Sequence, residues 1–449
     1  MHTWKVKCIT GAVASGLAAL AVAPSAMAGT DVQMFDHAFA APPSTAYCEA
    51  NFGIRCYNAA QFEQNYGTTQ LYGQGVTGAG QTIVIVDSFG SPTIQHDLQE
   101  YDANNGLPAP PSFNIITPEG APPPWDPTNA TMGGWALETS LDVEMAHTMA
   151  PGANILLVET PVAETVGVDG FPQIENAIKY VVDNHLGNVV SQSFAAAEQT
   201  FASRSQIFHL RYAYEDAAAH GVTVLGSSGD QGPTSAMANG NYFENPVVNW
   251  PASDPLVTAV GGTQLFLDRN GNPWASPSVW NDTALFGGPA ASGGGVSSVF
   301  ARPSYQNGVA SVVGSTRGVP DISASAAVNG GANIYISAIN PAAGLTAPGW
   351  YVVGGTSEAS PLMAGIISLA DQVAGHGLGQ INQALYTMGD GTGSGIQDVT
   401  NGNNGVTWVN SRGITHTLAG FPALPGYDLA TGLGTPWAPS FVAQLAALG

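Results

Sequence analysis

A serine that opens a helix among small residues is placed to attack a carbonyl carbon. The run Gly354-Gly-Thr-Ser-Glu-Ala-Ser-Pro-Leu-Met-Ala-Gly365 holds such a serine, Ser357. Small neighbours admit a substrate backbone, and a helix N-terminus offers N–H groups and positive dipole to a developing oxyanion. Bare Gly-Thr-Ser also suits an ordinary N-cap, but the longer string is more restrictive. A hydroxyl nucleophile needs a base. Upstream, Ala136-Leu-Glu138-Thr-Ser-Leu-Asp142 sets two carboxylates four residues apart, on one face of a helix. Like charges at that spacing repel unless they share a proton or meet a cation. A solvated acidic face is the plain alternative, yet this pair sits among apolar positions.

The elements that must position these groups alternate between strand and helix. Gln81-Thr-Ile-Val-Ile-Val-Asp87 is a short β-branched run that suits a buried parallel strand. Trp135 to Met149 reads as a helix, with Leu137, Leu141, Met145 and Met149 along one stripe. Asn154 to Val158 reads as the next strand. A helix over 171–184 precedes a strand over 188–193, and a helix over 204–219 precedes a strand over 222–227. This order predicts an α/β fold, a doubly wound and mostly parallel sheet with helices on both faces. Ligands in such sheets bind at the carboxyl ends of the strands. The Gly-rich stretch 284–297 is either a segment lining the substrate or a surface loop.

The first 28 residues have the marks of a signal peptide: Lys5 and Lys7, an apolar run of about fifteen residues, and Ala26-Met27-Ala28 as the cleavage site. That run is short of the ~20 residues of a membrane span, so the expected location is secreted and extracellular. Cys48 and Cys56 then remain, and an isolated pair in an exported protein reads as one disulfide within an N-terminal lead over 29–56. The Ala/Pro-rich start of this lead reads as loose; the catalytic domain is expected over 57–449. The chain has 10 Lys+Arg against 32 Asp+Glu, a net charge of −22. Without Lys5 and Lys7 the count is 8 against 32, or −24. Such a chain repels nucleic acid and anionic membranes. Having few bases, it also escapes the cationic repulsion behind much acid unfolding.

The serine string resembles the nucleophile segment of the subtilisin-like superfamily. The helix string, followed by Ala150-Pro-Gly-Ala, narrows the likeness to the sedolisins, the serine-carboxyl peptidases of kumamolisin-like type. Gly226-Ser-Ser-Gly-Asp230, Trp250-Pro-Ala-Ser-Asp-Pro and Arg317-Gly-Val-Pro-Asp-Ile-Ser also resemble that family's segments, in the family's order, from about Tyr57 to Gly449. The resemblance implies a serine-type endopeptidase acting on proteins or peptides as a monomer. It implies Glu138 as general base for Ser357, Asp142 as the acid that orients and tunes Glu138, and Asp230 as a protonated oxyanion donor. A carboxylate base has an unperturbed pKa of about 4, which points to an optimum of roughly pH 3–5. The resemblance also implies one structural Ca²⁺. Its ligands would be the side chains of Asp398 and Asp428 and the carbonyls of Val399, Leu424 and Gly426; Leu424 stands where the family usually has glycine.

Family members commonly carry a large pro-domain, whereas about thirty residues separate Ala28 from the core, so the activation route stays open. Two rival readings complete the expectation. A neutral subtilisin-like protease would use Asp87, His147 and Ser357, but His147 lacks the surrounding His-Gly-Thr-His string. An inactive secreted homologue acting as a binding protein would not need Glu138, Asp142, Asp230 and Ser357 together.

Overall fold

The computed structural model describes residues 33–164, 169–389 and 393–449. The signal-peptide reading of residues 1–28 lies outside the described residues.

Eight strands form the central sheet. From one edge the order is Ser278–Val279, Thr258–Gln264, Thr223–Ser227, Val189–Gln192, Thr82–Ser88, Asn154–Thr160 and Phe113–Ile116, while Ile322–Ser325 also pairs with Thr258–Gln264. All pairings are parallel except that of the Ser278–Val279 edge. The buried run Ile83-Val-Ile-Val86 lies mid-sheet, apolar on both faces, as a parallel strand between two helical layers must be. The chain leaves the Thr82–Ser88 strand for one side and later returns to its other side. That makes its carboxyl end, at Asp87, the switch point where such sheets bind ligands. The expected mostly parallel α/β fold is the observed one.

Two long helices meet beside this sheet. The first, Ala130–Met149, is capped by Asn129, whose side chain accepts from the N–H groups of Thr131 and Met132. It starts earlier than Trp135 and is buried on all sides rather than along one stripe. The second, Thr356–Ala374, is buried from Thr356 to Asp371. Gly365 lets the two helices touch, because a Cβ there would lie 2.4 Å from the Met149 Cβ. The expected 204–219 helix is split into Arg204–Leu210 and Tyr212–Ala219.

The N-terminal lead differs from the loose segment expected. Gln33–Phe39 is a strand, paired antiparallel with Gly349–Gly354, the strand that delivers the chain to Ser357. Helix Thr45–Phe52 follows, and Cys48 is disulfide-bonded to Cys56. Cys56 and Tyr57 pair with Gly331 and Ala332 in the same four-stranded sheet. Backbone donors and acceptors of strand 349–354, rather than composition, decide this order: an open edge accepts any extended segment. Among the described residues no helix is long and apolar enough to cross a membrane.

Candidate active site

Ser357 is the second residue of its helix, preceded by Gly355 as N-cap and Thr356 as first turn. Pro361 sits four residues further on, inside the helix. Proline has no N–H, so the Ser357 carbonyl loses its intrahelical donor. The Ser193 hydroxyl lies 3.5 Å from that carbonyl and donates at 2.9 Å to Asp142 Oδ1. Ser193 follows the Val189–Gln192 strand, so the sheet's carboxyl edge reaches both the nucleophile's helix and the acidic one.

Glu138 and Asp142 are fully buried on the Ala130–Met149 helix. Burial, then the nearby Asp142 and Asp87 carboxyls, hold Glu138 well above the usual carboxylate range; the adjoining Ser357 hydroxyl acts in the opposite sense. Neither Oε of Glu138 closes a hydrogen bond. Asp142 is likewise held high, by burial and by Asp87, against the Ser193 hydrogen bond. Asp87, buried at its strand end, is pushed up to about 7 by desolvation. Three carboxyls thus share one dry space, and among the described residues no Lys, Arg or His pairs with any of them. They cannot all ionise at once; the group takes up and releases protons as a unit.

Asp230 shares the cleft with Ser357 and holds the residue before it. Its Oδ1 accepts from the backbone N–H and the hydroxyl of Thr356, both at 2.7 Å, while the Gly229 N–H donates to Thr356 Oγ1 at 3.1 Å. Gly355 is held at φ +124°, where a side chain would be strained. A small open cleft in front of Ser357 is walled by Asp230, Thr356, Ser193, Phe194, Gln231 and Glu164 among others.

Of the four expected residues, Asp230 and Ser357 line the cleft, while Glu138 lies fully buried next to Ser357 with Asp142 beside it. His147 does not join them. It lies nine residues beyond Glu138, about half a turn round the helix axis, with Nε2 at 2.8 Å from the Pro108 carbonyl and 3.3 Å from Asp102. Asp87 does belong to the cleft's surroundings, facing Glu138 and Asp142 rather than an imidazole. Sequence reasoning had it as a strand end and, in the rival reading, as the acid partner of His147; its position at the switch point was the usable signal for its place beside Glu138. Ser193, at the end of the neighbouring strand, was missed, and the same rule could have found it.

The carboxylates expected to bind calcium meet in one loop. Asp398 Oδ2 accepts the Gly426 N–H at 2.9 Å, and Asp428 Oδ2 accepts the Leu424 N–H at 3.1 Å. Asp428 Oδ1 accepts from Ala430 and Thr431 N–H groups at 2.8 Å each. Val399 is buried beside Asp398, and Leu424 is half exposed. Among the described residues no three His, Cys, Asp or Glu side chains gather as a metal site. The expected ligand set asks for two carboxylates, the rest being hard carbonyl oxygens of the kind Ca²⁺ takes.

No protein-family model matches the chain. It is 34% identical over 374 residues to kumamolisin of Bacillus sp. (strain MN-32), a match covering 81% of this chain and 59% of that protein. Sedolisin of Pseudomonas sp. (strain 101) is 28% identical over 368 residues, covering 80% and 57%. Tripeptidyl-peptidase 1 of Rattus norvegicus is 31% identical over 329 residues, covering 70% and 52%. The chain thus spans a little over half the length of the curated relatives it matches. A solved structure of Pseudomonas sedolisin, a serine-carboxyl proteinase complexed with two molecules of pseudo-iodotyrostatin, matches with a TM-score of 0.70 at 28% identity. That match covers 88% of this chain and 99% of the other.

Proposed function

The chain belongs to the sedolisin family of serine-carboxyl peptidases, and from that premise we propose that it cleaves peptide bonds in acid through an acyl-enzyme on Ser357. Ser357 Oγ attacks the peptide carbonyl carbon as Glu138 takes the hydroxyl proton. The carbonyl's π electrons move to its oxygen, which is met by the protonated Asp230 carboxyl and the Ser357 N–H. Collapse breaks the C–N bond, and Glu138 returns its proton to the departing amine. Water, deprotonated by Glu138, then hydrolyses the ester. Asp142 and Asp87 keep the base inside a proton-sharing group, the place an orienting acid holds in a serine–histidine–aspartate triad.

The observation that carries this reading is the buried Glu138 carboxyl beside the Ser357 hydroxyl, with His147 turned away. A base in a group of three carboxyls works between that group's first and second ionisations, while Asp230 must stay protonated; both conditions favour acid. The net charge of −22 supports protein or peptide substrates over nucleic acid. We place the enzyme outside the cell, in keeping with the leader-like residues 1–28. In the same proposal Asp398 and Asp428, with the carbonyls of Val399, Leu424 and Gly426, hold a calcium ion, which ties the C-terminal loop. The test is digestion of a denatured protein at pH 4 by wild type, Ser357→Ala and Glu138→Ala. Wild type alone should cut; cutting by either variant removes the reading.

A further inference from the structure

A second pocket, of about 260 Å³, adjoins the Ser357 cleft. It has room for a whole side chain, since a water takes only about 30 Å³. The two share a wall. Segment 234–243 folds back on itself, the Phe243 N–H donating to the Ser235 carbonyl at 3.2 Å and the Met237 N–H to the Asn241 carbonyl at 2.8 Å. Ser235, at its base, lines the cleft; Met237, Asn239, Asn241 and Tyr242, at its tip, line the pocket. Two residues of extended chain span at most about 7 Å, so Ser235 and Met237 lie within one or two substrate residues of each other. The opposite wall is the antiparallel hairpin of strands Val406–Val409 and Thr415–Leu418, with Asn410, Ser411 and Arg412 in its turn.

The donors facing this pocket are uncommitted. Among the described residues the Arg412 guanidinium, the Asn241 amide and the Ser411 hydroxyl have no hydrogen-bond, ion-pair or ring partner. Asn410 and His416, by contrast, are spent on one another. Asn410 Oδ1 accepts the N–H groups of Arg412 and Ile414 at 2.9 and 3.0 Å, which turns its Nδ2 toward His416 Nε2 at 2.8 Å. Nε2 is then the acceptor, and the ring's proton sits on Nδ1, facing Glu244 Oε1 at 3.3 Å. His416 is also stacked on Trp408, with ring centroids 5.3 Å apart. The pocket's own carboxyl is thus held by His416, and Arg412 is left unpaired in a chain of net charge −22. A cation among free donors asks for a ligand that only accepts, and an ionised carboxylate is such a ligand.

We propose that this pocket is a subsite for a carboxylate of the substrate, an aspartyl side chain or a peptide's C-terminus, held by Arg412 with Asn241 and Ser411. The inference rests on the peptidase reading for its link to Ser357. At pH 4.5 a C-terminal carboxyl and most aspartyl groups are ionised, so the ligand keeps its charge in acid. An amide in the same place brings an N–H of its own to a wall already rich in donors, and offers Arg412 no charge.

Two measurements at pH 4.5 test this. The first compares kcat/KM for one cleaved peptide carrying aspartate or asparagine at successive positions on either side of the cut, and ending as a free acid or an amide. One carboxylate should favour cleavage by about fivefold, through KM, and Arg412→Gln should remove the advantage. The form that responds tells a side chain from a terminus. No favoured carboxylate, or an advantage that survives Arg412→Gln, overturns the proposal. The second needs no hydrolysis: calorimetric binding of acetyl-Gly-Asp-Gly-amide, acetyl-Gly-Gly-Gly and the neutral acetyl-Gly-Asn-Gly-amide to wild type and to Arg412→Gln. Saturable binding of either acid, about fivefold tighter than the neutral peptide and weakened to its level in the variant, supports the subsite. Equal binding of all three, or binding of none by wild type, overturns it. A protein that binds an acidic peptide through Arg412 yet cuts nothing contradicts the peptidase reading and leaves the subsite standing.

Discussion

Gly355 and Asp230 are in contact through a space only a hydrogen can occupy: a Cβ on Gly355 would lie 2.6 Å from Asp230 Oδ2. The glycine's φ of +124° and the hydrogen bonds that Asp230 accepts from Thr356 together lock Asp230 against the helix that carries Ser357. Gly355→Ala is therefore expected to push Asp230 away from Ser357. Its kcat should fall by ~10²-fold or more, with a lowered melting temperature; an alanine variant with wild-type kcat would show that this contact is not used.

Asp230 itself separates geometry from proton supply. In Asp230→Asn the amide oxygen can still accept from Thr356 and the amide N–H can donate to the oxyanion at any pH. The expected outcome is residual turnover with the alkaline limit of the pH–rate profile moved upward. Asp230→Ala, lacking the donor, should lose about 10²–10³-fold. Equal losses in both variants, with no shift of the profile, would contradict a donor role.

Stability should be greatest in acid. Burial pushes Asp87 and Asp371 up to about 7, and Glu63 and Glu159 likewise. Each is an acid whose folded pKa lies above its unfolded value, so the folded state holds protons that the unfolded chain has released. That contribution is whole below about pH 4, the unfolded value, and is lost as pH rises through about 7. Calorimetry should show the melting temperature falling by ~5 °C or more between pH 4 and pH 7.5. A melting temperature that rises over this interval would contradict the buried, uncharged state of these groups.

Calcium should stabilise the C-terminal loop by mass action. EDTA treatment of the purified protein is expected to lower its melting temperature, and added Ca²⁺ to restore it. Asp428→Asn should abolish that response, since one of the two carboxylates is gone. A response that survives in Asp428→Asn would place the ion elsewhere.

How much of this was legible beforehand depended on the range of the interactions. Glu138 and Asp142 lie one helical turn apart, so spacing alone put them on a common face. Ser357 was legible because its neighbours are constrained by sterics within a few residues. Asp87 was visible as a strand end, but its meeting with Glu138 arises from a helix packing across the sheet, which no local pattern encodes. The N-terminal strand was misread for the same reason. Gln33 pairs with Gly354 across most of the chain's length, and nothing in the Ala/Pro-rich stretch announces it. Glu164 follows the Asn154–Thr160 strand and Asn249 opens the short strand Asn249–Trp250; only the folded chain brings them to one cleft.

The account turns on Glu138 removing the proton from Ser357. The pH–rate profile of Glu138→Gln against wild type on one peptide substrate, both shown folded by circular dichroism, measures this most directly. The expected result is an acid optimum for wild type and a kcat/KM lower by ~10²–10⁴-fold in the variant at that optimum. A variant within about tenfold of wild type, or a wild-type optimum above pH 7, would assign the proton transfer to another group.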